Sequence, residues 1–140
     1  MKSLSNETQN YCYTYFRIVG CFDPDEISDK LGLLPFESWK KGDKSKSGRE
    51  YEFSAWHFCK CEKYNIITTE QMEETIAPLL DKIDLLNQIR KENNVSFYLE
   101  VVPSLSSGND EPCLAPSLEV MDFCTATRTE IDIDLYISDN

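Results

Sequence analysis

A chain of 140 residues with 41% hydrophobic content has the length and apolar share for one domain around one core, and seven Tyr, seven Phe and two Trp exclude a disordered or low-complexity class. The formal net charge of −11 repels nucleic acid and anionic membranes at long range and favours a basic protein partner. No apolar run approaches the ~20 residues that span a bilayer. The opening MKSLSNETQNYCY also lacks the apolar centre of a signal peptide, so the expectation is a soluble, cytoplasmic protein.

Residues 11–19, YCYTYFRIV, alternate and are rich in β-formers, which predicts a strand with Phe16 and Ile18 on one face and Tyr13, Tyr15 and Arg17 on the other. CFDPDEISDKLGLLP then carries the signals of a short helix. Asp23 is the N-cap, Pro24 takes the first helical position, and Glu26 completes a capping box. Ile27 and Leu31 share a face, Gly32 is the left-handed terminator, and Pro35 forbids continuation. In FESWKKGDKSKSGREYEFSAW, five of the fourteen Lys and Arg (Lys40, Lys41, Lys44, Lys46, Arg49) fall between Trp39 and Trp56. Its Gly and Ser predict a solvated loop, with a second strand from about Arg49 through Trp56. GDKSKSG is not a phosphate loop, because it opens a strand where the Walker pattern opens a helix.

Residues 68–93 read as the longest helical segment, with a Thr68–Gln71 capping box and an apolar stripe of Met72, Ile76, Leu79, Leu80, Ile83 and Leu86. Pro78 must kink or divide it, and Asn93 and Asn94 are suitable terminators. VSFYLEVVP predicts a third strand. Ser117 caps a third helix with Leu118, Met121 and Cys124 inward, and EIDIDLYI predicts a fourth strand. The order β-α-β, long helix, β-α-β predicts an α+β fold: a four-stranded, mainly antiparallel sheet with helices on one face, ferredoxin-like in spirit. Residues 1–140 form a single domain in this reading, with an internal duplication of 11–58 and 95–138 joined by the 68–93 segment.

The six cysteines are scattered, which predicts reduced thiols. HFCKC offers His57, Cys59 and Cys61 on one face of a strand, but the one-residue gap departs from metal-knuckle spacing, so neither a metal nor another cofactor is expected. The lone histidine, His57, has no nucleophile motif pointing to it, so no catalytic residue is assigned and no enzyme is expected. Glu130, Asp132 and Asp134 repeat every second residue, on one strand face with neighbours ~6–7 Å apart, and Tyr136 follows on that face. Ile131, Ile133, Leu135 and Ile137 point the other way, toward the core. Such a carboxylate stripe is a solvated face, a docking surface for a basic partner or a hard-cation site. Trp39, flanked by Lys40 and Lys41, is read as a lid whose indole N–H reaches the surface and as the rim of a binding surface.

FRIVGCFDPDEISDKLGLLPFESWKKGD, YEFSAW and the closing IDIDLYI, together spanning Tyr15 to Ile137, resemble the bacterial family called domain of unknown function 4279. The resemblance carries over no catalytic residue. It implies a small stand-alone protein, some of whose relatives resemble immunity partners in contact-dependent toxin systems. The expected function is an acidic binding protein, monomeric or weakly dimeric, that neutralises a basic, nuclease-type toxin domain without touching nucleic acid or membrane. Its partner residues would be Glu130, Asp132, Asp134, Tyr136, Trp39, Lys40 and Lys41. The alternative is a small-ligand or housekeeping module.

Overall fold

The computed structural model describes residues 9–64, 68–108 and 113–138. Strand β1 (Tyr11–Gly20) alternates as its side chains require: Cys12, Thr14, Phe16 and Ile18 are buried, and Tyr11, Tyr13, Tyr15 and Arg17 lie half-buried on the opposite face. Helix α1 (Pro24–Leu31) starts where Asp23 accepts the Asp25 N–H at 3.0 Å and ends at Gly32, φ 66°. Its Ile27 and Leu31 are buried.

Strand β2 (Glu37–Trp39) and strand β3 (Ser54–Tyr64) pair antiparallel. The second strand thus begins at Ser54, not near Arg49. Residues 40–53 instead form a folded loop, closed by hydrogen bonds between the main chains of Asp43 and Tyr51 and of Ser45 and Arg49, with Lys40, Lys41, Lys44, Lys46 and Arg49 on its surface.

Helix α2 (Thr68–Ile76) and helix α3 (Ile83–Asn93) are separated by a 3-10 segment, Ala77–Lys82, as Pro78 demands. Met72, Ile76, Leu79, Leu86 and Ile89 are buried, Ile83 is partly buried, and Leu80 turns outward. Asn94, φ 53°, ends α3 in the left-handed conformation. The Gln71 amide does not cap α2. It donates to Cys12 O at 2.9 Å and Cys61 O at 3.2 Å, because those strand carbonyls are buried beneath the helix and need a donor.

Strand β4 (Ser96–Ser106) leads to helix α4 (Leu118–Thr127), capped by Ser117, whose hydroxyl accepts the Val120 N–H. Its inward residues are Val120, Phe123, Cys124 and Thr127. Leu118 and Met121, expected inside, are exposed. Strands β5 (Thr129–Ile133) and β6 (Tyr136–Ser138) follow.

The strands lie in the order β2-β3-β1-β4-β5, with β6 also beside β4. β1 is antiparallel to both β3 and β4, and β3 to β2, whereas β5 and β6 run parallel to β4. Hence β1 and β2 flank β3, and β3 and β4 flank β1: twice, a helical connection joins parallel strands around an antiparallel one. The expected four strands are six, because a short strand, β2, adds to one edge and the final strand is split in two. That final strand is parallel to its neighbour because α4 carries the chain back before it begins.

The helices α1 to α4 cover one sheet face. Ile27, Met72, Ile76, Leu86, Val120 and Phe123 meet Phe16, Ile18, Trp56, Phe97 and Leu99 in one core. Trp56 is fully buried in it, its indole N–H donating to Ser28 Oγ at 3.0 Å.

Candidate functional site: the uncovered sheet face

Among the described residues no helix covers the other face, and β1 supplies its centre. Tyr11, Tyr13 and Tyr15 form a row with adjacent ring centroids 6.1 Å apart, and Arg17 continues it. On β3, His57 stands opposite Arg17. Beyond His57 the pairing shifts through a bulge at Cys59, a non-glycine residue at φ 59°. The bulge sends Lys60 to the open face, 4.7 Å over the Tyr13 ring, and turns Cys59 and Cys61 toward α2.

That bulge dismantles the sequence's candidate metal set, since His57 and the two thiols end on opposite faces. Burial and then the Glu74 carboxylate, which accepts the Cys61 thiol at 2.8 Å, push that thiol up to about 12, far from a thiolate ligand. Among the described residues, no group of three or more His, Cys, Asp or Glu is arranged to hold a metal ion.

One half of the open face is aromatic. Trp39 stacks on Tyr51 at 4.4 Å and meets His57 edge-on at 5.1 Å, while Tyr15 and Phe36 close the other sides of the imidazole. The Trp39 N–H does not reach the surface as expected, because it donates to Phe53 O at 3.1 Å where the loop folds back. His57 Nδ1 lies 3.0 Å from Glu37 Oε2 and donates to it, since a carboxylate only accepts. Burial holds the imidazole below its ordinary value, against the opposing pull of Glu37. Its Nε2 is buried without a hydrogen-bond partner among the described residues.

The other half is acidic. Glu100 sits mid-strand on β4, only 5% exposed, with its Oε2 3.8 Å from Arg17 Nη1. Asp132 lies opposite it on β5 and Glu130 opposite Tyr98. Burial first, then the hydrogen bond and charge of Asp132, raise the Glu100 carboxyl to about 7, with Arg17 opposing and Asp134 adding. The Tyr136 hydroxyl donates to Asp134 Oδ2 at 3.0 Å, so the tyrosine joins the carboxylates.

The residues singled out from sequence therefore fall into two groups. Glu130, Asp132, Asp134 and Tyr136 lie together on the β5–β6 edge. Trp39, Lys40 and Lys41 lie at the opposite edge, where Lys40 and Lys41 border a shallow cleft of about 390 Å³ with Phe22, Asp23 and Glu26. Glu100 was missed, although a charged residue inside the apolar run FYLEVVP was its signal. The isoleucines of the last strand also depart from expectation: Ile131 packs on the core, but Ile133, Leu135 and Ile137 are 43%, 44% and 69% exposed.

Helices on one side of a sheet, with an aromatic and acidic face free of helices on the other, define an α+β protein whose second sheet face is covered only in part, by Phe36, Trp39 and Phe53 around His57 and Arg17. The chain belongs to the family described as domain of unknown function (DUF4279), whose model matches residues 10–138. No curated protein and no solved structure matches the chain. No helix among the described residues is long and apolar enough to cross a membrane.

Proposed function

We propose that this protein binds a basic protein partner through the acidic half of its open sheet face, and that the partner is a nuclease-type toxin domain which it neutralises by occlusion. The observation that carries the binding reading is the row of exposed Glu130, Asp132 and Asp134 with Tyr136 along one sheet edge, beside the buried Glu100, in a chain with net charge −11. Clustered carboxylates accelerate encounter with a cationic surface, and neighbouring aromatics slow its release. The immunity role rests on the family resemblance alone, in which some small stand-alone relatives resemble immunity partners. In this reading His57 serves packing, enclosed by rings and tied to Glu37. Co-expression with any toxin domain found encoded beside the gene, and binding kinetics at two salt concentrations, test the proposal. Charge reversal at Asp132 and Asp134 together should slow association and flatten its salt dependence. A wild-type protein that neither binds nor protects refutes it.

One observation favours a second reading, a small-ligand module. A cleft of about 630 Å³ at the start of β4 and β5 is lined by Arg90, Arg128, Tyr98 and Glu130. Two guanidinium groups there suit a small organic anion. A thermal shift on adding dicarboxylates, lost in Arg128→Ala, would identify it.

A further inference from the structure

The β5–β6 edge has a property that neither the charge nor the family match specifies. Its two segments keep one register along β4, Phe97 facing Thr129 at one end and Ser106 facing Ser138 at the other. They form one long edge strand interrupted only at Asp134 and Leu135. The Asp134 N–H donates to Val101 O at 2.9 Å. Main-chain groups of a strand alternate sides, so Glu130, Asp132 and Asp134 direct theirs to β4. Ile131 and Ile133 direct theirs outward, where no further strand lies among the described residues.

Natural edges are blunted by short strands, charged side chains, proline or a covering loop, and the charges on this one are all acidic, which guards it against another acidic edge but not against a basic strand. Neither proline nor lysine occurs along Thr129–Ser138, and no loop among the described residues pairs with its outer side. Its side chains are sorted into two rows: carboxylates of Glu130, Asp132 and Asp134 toward the open face, and Ile133, Leu135 and Ile137 exposed toward the other.

We propose that this edge accepts a β-strand from a partner protein whose sequence alternates basic and apolar residues, so that the sheet is extended by one strand. The inference rests on the basic-partner reading above and specifies its docking mode. An incoming strand would take hydrogen bonds from Ile131 and Ile133 main chains, lay its cations against the carboxylate row and its apolar residues against Ile133 and Ile137. A second copy of this chain is a poor occupant. Edge-to-edge pairing would set two carboxylate rows side by side on one face, and like charges across strands are destabilising.

The probe is a short synthetic peptide alternating lysine and valine, compared with one of identical composition in which lysines and valines stand in blocks. The alternating peptide should bind at least about tenfold more tightly and slow exchange of the Ile131 and Ile133 amides, which pair with no further strand among the described residues. Ile133→Pro should abolish that preference while leaving the fold intact, because the N–H it removes makes no bond to β4 and proline is tolerated at edges. Should that variant fail to fold, backbone N-methylation of the peptide removes the same ladder from the partner's side with the protein unaltered.

Equal binding of both peptides, without protection of the two amides, overturns strand addition and leaves the acidic-surface reading standing. Binding of neither peptide also overturns it, whereas the binding reading fails only in its own test against the toxin domain. Protection of the edge amides that grows with protein concentration, in the absence of peptide, would make the occupant a second copy and overturn the proposed partner.

Discussion

Replacing Glu100 by glutamine tests the electrostatics of the open face directly. In the folded chain the carboxyl titrates at about 7 instead of 4.5, raised first by burial, then by Asp132, with Arg17 opposing. Below pH 4.5 both folded and unfolded chains hold the proton, and folding carries no penalty from this group. Between 4.5 and about 7 the folded chain holds a proton the unfolded chain has released, so stability falls as pH rises. Above about 7 both are ionised and the loss is complete. At about 1.4 kcal/mol for each pH unit between the two values, the full loss is about 3 kcal/mol.

The amide in Glu100→Gln would keep the shape and donate to Asp132 as the protonated acid does, with nothing to titrate. Urea unfolding of wild type and Glu100→Gln at intervals from about pH 4.5 to about 8.5 gives the stability difference at each pH. That difference isolates Glu100, because His57 titrates in both proteins with the opposite sign: its depressed folded value contributes stability that is lost as pH falls. The variant should gain on the wild type by about 2–3 kcal/mol across the window, nearly all of it below about pH 7.5. A difference independent of pH would refute the buried, carboxylate-coupled state of Glu100.

Two further outcomes follow from the core and the thiols. Leu79→Ala, at a fully buried position, should cost about 2–5 kcal/mol, and Ile83→Ala, only partly buried, no more than about half of that; denaturant midpoints unchanged in both would mean the helical stripe is misassigned. Chelator should leave the unfolding midpoint unchanged, and elemental analysis of protein purified without chelator should find no stoichiometric zinc, because the bulge at Cys59 separates His57 from Cys59 and Cys61.

The helices were legible where the chemistry is local. Asp23, Pro24 and Gly32 mark α1 within a few residues, and Pro78 divides the long segment regardless of what packs on it. Strand β1 was legible for a similar reason, since one face meets the core and the other does not. What escaped depends on distant neighbours. The bulge at Cys59 is held by α2, whose Thr75 hydroxyl reaches Cys59 O while Gln71 reaches Cys61 O, and nothing in HFCKC announces that. In α4 the inward stripe ends in Thr127, whose hydroxyl bonds to Phe123 O and lies 2.6 Å from Thr129 Oγ1, so an apolar pattern alone placed Cys124 inside correctly but Leu118 and Met121 wrongly. Alternation in EIDIDLYI located the carboxylate row, but alternation states which residues share a face and not whether a helix covers the opposite one. The helices do not extend over Ile133, Leu135 and Ile137.

The raised carboxyl and the proposed partner are coupled, and the coupling has a sign. Glu100 titrates high because it is buried beside Asp132 and Asp134 with only Arg17 to offset them. A cationic side chain laid on that row would favour the ionised form and lower the Glu100 value in the complex. Binding then expels a proton wherever the free protein holds one, which is at and below about pH 7. Affinity for a basic partner should therefore level off above about pH 7 and weaken as pH falls below it, by up to about tenfold per pH unit while one proton is released. Calorimetry at about pH 6.5 in buffers of different ionisation enthalpy measures the proton directly, and Glu100→Gln should abolish it while retaining binding through Asp132 and Asp134. Proton uptake on binding, or a release that persists in Glu100→Gln, would place the partner's charge away from this row.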